Sequence, residues 1–152
     1  NHNELMESLN KELSALLETE ALKSRIENFE AFISELVEFW DGIAAISPAI
    51  DDEVRKVIAT DSLLIECLHE VIREAVNNAV KHSGATEIEI SIKQISTSTI
   101  ELVVDNNVVK VVERSTRESL GTSIYKELTH NYELAIAPDR VSLRSTLILS
   151  HI

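Results

Sequence analysis

At 152 residues, 44% of them hydrophobic and only 4% aromatic, the chain has material for one core filled by aliphatic side chains, with a helical extension at most. A net charge of −12 argues against nucleic acid, and against an anionic membrane surface, as the main partner. Cys67 is the single cysteine, which excludes an internal disulfide framework, and no apolar run is long enough to span a bilayer. No secretory signal is present. The chain is expected to be cytoplasmic, or the soluble part of a longer membrane receptor, and from its start within helix-like sequence an excised fragment is expected.

Residues 4–40 contain no Gly and no Pro and read as helix. Leu22, Ile26, Phe29, Ile33, Leu36 and Trp40 recur at heptad spacing, as do Leu9, Leu13 and Leu16, but the register slips between the two sets. The spacing predicts one long helix with a stutter, or two helices broken near residues 18–22. Segment 1–41 carries three basic residues against ten acidic ones. It is either a helix packed along its own domain or a dimerising stalk, and the sequence leaves both open.

Asp41-Gly42 ends this segment. Ile43 to Ile50 is a short apolar strand that Pro48 confines to a sheet edge. Asp51-Asp52 starts a short helix to about Ala59. Asp61-Ser62 starts a long helix that Ser83-Gly84 ends, with Gly84 suited to a left-handed cap. Ile88, Ile90 and Ile92 alternate with polar residues as a half-buried strand. Ser96-Thr97-Ser98 makes a turn into a second strand, with Ile100, Leu102 and Val104, that stops at Asp105. Residues 106–119 read as irregular, Leu120 to His130 as helix, Tyr132 to Ile136 as strand, and Val141 to Leu149 as the last strand. This order suits an α/β (α+β) two-layer sandwich, a mixed sheet with helices on one face, preceded by a long N-terminal helix or helix pair. The expected division is a helical segment at 1–41 and one domain at 42–152.

The run His69–His82 carries the chemistry. Leu64, Leu68, Val71, Ala75 and Ala79 fall on one side of the helix, while Glu74 and Asn78 stack four residues apart on another, with Lys81 following. An acid, an amide and a cation so aligned can hold a hydrated metal and the phosphates attached to it. A solvated helix face is the plain alternative. Against it, a mid-helix asparagine is unfavourable without a purpose.

Segment 61–149 resembles the ATP-binding domain of sensor histidine kinases, the Bergerat fold also found in gyrase and the heat-shock chaperones. Glu74-Ala75-Val76-Asn77-Asn78-Ala79-Val80-Lys81-His82 is similar to that family's asparagine box. The resemblance implies that Asn78 ligates Mg²⁺ through its amide oxygen, that Glu74 orients or activates groups around the metal, and that Lys81 and His82 approach the phosphates of ATP. Val103-Val104-Asp105-Asn106 stands where the family places an aspartate that accepts from the adenine amino group, so Asp105 is expected in that role, with Asn106 beside it. Leu120-Gly121-Thr122-Ser123 resembles the later glycine box, whose amides at Gly121 and Thr122 would meet the phosphates at a helix start. Ser145-Thr146 takes the place of a Gly-Thr pair whose hydroxyl, here that of Thr146, lies near the adenine.

The departures from the family pattern are specific. The glycines that normally follow the aspartate are absent: Asn106 is followed by Asn107, Val108 and Val109, and the chain holds only three glycines. Glycine there lets backbone turn sharply beside the nucleotide. A branched Val109 would resist that conformation. The family's phosphoacceptor histidine is expected on a preceding helix hairpin. His2 lies only 76 residues before Asn78 and lacks the flanking acid, so the acceptor is expected upstream of Asn1 or absent.

The leading expectation is the ATP-binding catalytic portion of a two-component sensor histidine kinase. It would transfer the γ-phosphoryl group of Mg-ATP to a histidine, dimerise through its N-terminal helices and serve a response regulator, with no nucleic-acid partner and no direct membrane contact. The alternative is a degenerate pseudo-kinase that dimerises or acts as an adaptor without turning over ATP. A serine kinase of the anti-sigma type is the third reading.

Overall fold

The computed structural model describes residues 1–110 and 124–149. Helix α1 (His2–Phe39) is continuous, so the slip in the heptads does not break it. It changes the direction of the apolar face instead. Leu13 and Ile26 are 13 residues apart. At 3.6 residues per turn that places the two stripes about 140° apart around the axis. The second stripe packs on the domain, where Phe29, Phe32 and Ile33 are buried. The first does not: residues 1–21 are exposed throughout, an overhang of about 30 Å.

Helix α2 (Asp52–Ala59) pins the packed half of α1 with polar groups. Arg25 Nε donates to the carbonyl of Ala59 at the end of α2, where a cation complements the helix dipole. Glu30 pairs with Arg55, which also reaches Asp52 at 3.0 Å.

Five strands form one sheet in the order β1-β2-β3-β5-β4. They are β1 (Ala45–Ile50), β2 (Glu87–Ser96), β3 (Thr99–Asn107), β4 (Asn131–Ile136) and β5 (Arg140–Ile148). Only β1 and β2 run parallel, as the helical crossover between them requires, and Pro48 sits in edge strand β1 as expected. The core lies between sheet and helices. Ile88, Ile90 and Ile92 meet Ile100, Leu102 and Val104 on the covered face, all at most 2% exposed. The opposite face carries cross-strand ion pairs, Arg144 to Glu101 at 3.1 Å and Arg140 to Asp105 at 3.0 Å.

Helix α3 (Ser62–Ser83) runs through the middle of the helical layer. Asp61 caps its start by accepting from the Leu64 amide at 3.1 Å. Gly84 ends it with φ +57, and a Cβ added there would stand 3.0 Å from Lys110 Cβ. Both features oppose any side chain. Gly84→Ala is therefore expected to cost about 1–2 kcal/mol, read as a lower urea midpoint with unchanged slope.

His69 on α3 is the contact point for α1. Its ring stacks on Phe32 at 3.9 Å and lies nearly parallel to Phe29 at 6.1 Å, and its Nε2 is buried with no partner among the described residues. Burial holds the imidazole below its ordinary pKa and Arg73 adds to this, against weaker opposing effects of Glu70 and Glu66. The folded state thus prefers neutral His69, and the unfolded chain binds the proton more readily. The sign follows: the contribution is intact above about pH 6.5 and is lost as pH falls below it. Melting temperatures measured between neutral and mildly acid pH should fall more steeply for the native chain than for His69→Phe.

Candidate functional site

α3 and the ends of β3 and β5 enclose a cavity of about 60 Å³. Asn78 and His82 line it from α3, Asn106 from β3, and Val141 and Leu143 from β5, with Tyr125 across from Asn78. Asn78 Nδ2 donates to the Tyr125 hydroxyl at 3.2 Å. Its Oδ1 is left as an acceptor. Asn106 is only 3% exposed, and its Nδ2 donates to the Asn107 carbonyl at 3.0 Å, which again leaves an amide oxygen for a ligand. The cavity therefore offers two carboxamide oxygens and an imidazole.

Three of the residues singled out from the sequence meet here: Asn78, His82 and Asn106. Glu74 and Lys81 do not line the cavity. Glu74 lies half-buried one turn before Asn78, and Lys81 is exposed. Gly121 and Thr122 lie outside the described residues.

Two expectations need correction. Asp105 was expected inside the site and stands on the other face of the sheet, beside Glu89, Ser91 and Val103, with Arg140 as its partner. That carboxylate raises the pKa of the exposed Arg140. The cause is strand parity. The pairing runs on to Asn107, and successive side chains alternate, so Val104 and Asn106 face the helices while Asp105 faces away. The same parity turns Thr146 outward and buries Ser145, whose hydroxyl has no partner among the described residues.

The missing glycines have a structural counterpart. No non-glycine residue among those described has positive φ, so the chain leaves β3 without a left-handed turn. The amides of Val109 and Lys110 both donate to the Ser83 carbonyl, at 2.9 and 3.0 Å, and the Val108 amide donates to that of Asp139 at 2.9 Å. Asn107 accepts from the amides of Thr86 and Glu87 at 2.9 and 3.0 Å. Residues 107–110 are thereby tied to the start of β2, the turn between β4 and β5, and the end of α3. Tyr125 is the site residue that sequence reasoning missed. The one available signal was a large aromatic in a chain with two tyrosines.

Compared with solved structures, the chain superimposes on the catalytic domain of histidine kinase ThkA with a TM-score of 0.54 at 14% identity, covering 85% of this chain and 92% of that one. The fold is that of histidine kinase catalytic domains. The Acinetobacter baumannii histidine kinase AdeS aligns over 99% of this chain and 84% of its own, at TM-score 0.53 and 13% identity, so the likeness includes α1. The histidine kinase domain of the Erythrobacter litoralis blue-light-activated kinase EL346 gives a TM-score of 0.57 at 13% identity, covering 83% of this chain and 61% of that one. By sequence, no family model and no curated protein matches the chain. No helix among the described residues is long and apolar enough to cross a membrane.

Proposed function

We propose that the chain is the nucleotide-binding portion of a histidine kinase, holding Mg-ATP between α3 and the sheet for phosphoryl transfer to a histidine supplied from outside residues 42–152. The observation that carries this is the convergence of Asn78, His82 and Asn106 on one cavity in a kinase-type fold. The donor set fits the ligand. Magnesium prefers hard oxygen and usually takes few protein ligands, completing its shell with water and phosphate oxygens. A single amide oxygen from Asn78 is a contribution of that kind. When bound, the metal would neutralise charge on the transferring phosphoryl group.

The chain's own residues position and select. Asn106 Oδ1 can accept from an exocyclic amino group on the base, the part the sequence assigned to Asp105. His82, one turn beyond Asn78, can donate to a phosphate oxygen. Glu74, one turn before Asn78 on α3 and outside the cavity lining, would orient groups around the metal from there. The exposed stripe of α1 supports pairing with a second copy, and a response regulator acting in the cytoplasm would be the onward acceptor.

A second reading is favoured by the size of the cavity. Its 60 Å³ is far below the roughly 300 Å³ at which small-molecule sites begin, and Tyr125 already occupies the amide of Asn78. On this reading the domain is an adaptor that keeps the fold without the nucleotide. Thermal unfolding with Mg-ATP separates the two, because a ligand that binds only the folded state raises its melting temperature. A saturable rise is expected. A flat profile at millimolar ATP leaves the adaptor.

A further inference from the structure

A second cavity, of about 350 Å³, opens on a different face of α3. Phe32, Leu36, Phe39 and Trp40 of α1 line one side, and Arg73 and Asn77 of α3 the other. We propose that this cavity binds a small aromatic monocarboxylate.

The volume falls within the range of small-molecule sites, about 300–1,000 Å³. Phe39 is 75% exposed and stands edge-on to Trp40 at 5.2 Å, so a flat ring entering between α1 and α3 would meet both faces and edges of aromatic side chains. Arg73 fixes the polar end. Its guanidinium lies 5.1 Å from the centre of the Phe32 ring and is braced by Glu70 at 2.8 Å through one terminal nitrogen. A guanidinium carries five N–H donors in a rigid fork, so donors remain for a carboxylate. Asn77, four residues on, adds a side-chain amide on the same stripe. Glu35 also lines the cavity. Its charge opposes a dianion such as a phosphate ester about twice as strongly as a single carboxylate, so the anion that Arg73 can hold here is a monoanion. None of these groups belongs to the candidate nucleotide site, so this proposal does not rest on the kinase reading.

Trp40 is the only tryptophan in the chain, so its indole N–H gives one resolved signal in a proton–nitrogen spectrum. Benzoate is the probe. It is expected to shift that signal saturably, with a Kd on the order of 1 mM for so small a ligand. Benzyl alcohol, with the ring and no charge, and acetate, with the charge and no ring, should each bind at least about tenfold more weakly. Arg73→Gln and Phe39→Ala should each weaken benzoate by a similar factor. Phe39 is exposed, so its variant keeps the fold and decides the question if Arg73→Gln does not fold. No saturable shift with benzoate, equal binding of acetate, or unchanged benzoate affinity in the folded variants would overturn the proposal.

Discussion

Replacing Asn78 by alanine is expected to weaken Mg-ATP binding by at least about 100-fold, beyond the 10- to 100-fold typical of outer-shell residues at metal sites. The variant removes the amide oxygen proposed as the metal ligand and the donor that holds the Tyr125 hydroxyl. The second loss is a separate and smaller matter, about 1 kcal/mol of stability for one hydrogen bond. The two are read separately: calorimetry with Mg-ATP reports the affinity, and the melting temperature without nucleotide reports the lost bond. Asp105→Asn is the paired control. If adenine were read by that carboxylate, the variant would bind poorly. With Asp105 on the opposite face and paired to Arg140, its affinity should stay within about twofold of the native chain, and only a solvent-screened surface ion pair is lost. Unchanged binding in Asn78→Ala would remove the metal from this cavity. Lost binding in Asp105→Asn would mean that the end of β3 can turn over.

This contrast marks where the sequence could be read and where it could not. Element order, the edge position of Pro48, the Asp61 and Gly84 caps and the aliphatic alternation of β2 and β3 follow from local rules, and all are present. Helical periodicity put Glu74, Asn78 and Lys81 on one stripe, of which only Asn78 lines the cavity, while His82 followed from the family resemblance alone. The strand end was not. A strand alternates with period two, so each side chain's face depends on its parity, and a motif read at Asp105 assigns the neighbour of the residue that turns inward. No local signal distinguishes Asp105 from Asn106. Tyr125 escaped for another reason: its contact with Asn78 spans 47 positions, and nothing near it in sequence announces that partner. The continuity of α1 was also undecided from spacing, because a heptad slip can be met by a break or by a change of face.

Phe29→Ala tests how α1 is divided between its two stripes. Phe29 is 1% exposed and lies against His69, so truncation leaves a cavity in the packed interior and should cost about 3–5 kcal/mol. That is a large part of the 5–15 kcal/mol available to an ordinary domain, so denaturant unfolding should show a markedly lower midpoint. Leu13→Ala makes a similar truncation 16 positions earlier on the same helix, at a residue 54% exposed. Alanine is the better helix former, and at low protein concentration this variant should stay within about 0.5 kcal/mol of the native chain. Its effect belongs elsewhere. In a pair of copies that bury Met6, Leu9, Leu13 and Leu16 together, each substitution acts twice, and sedimentation should show association weakened by at least about 100-fold. If Leu13→Ala instead lowers the unfolding midpoint as far as Phe29→Ala does, the first half of α1 folds back on its own domain. The heptad slip would then be a bend, and the stripe would have no second copy to meet.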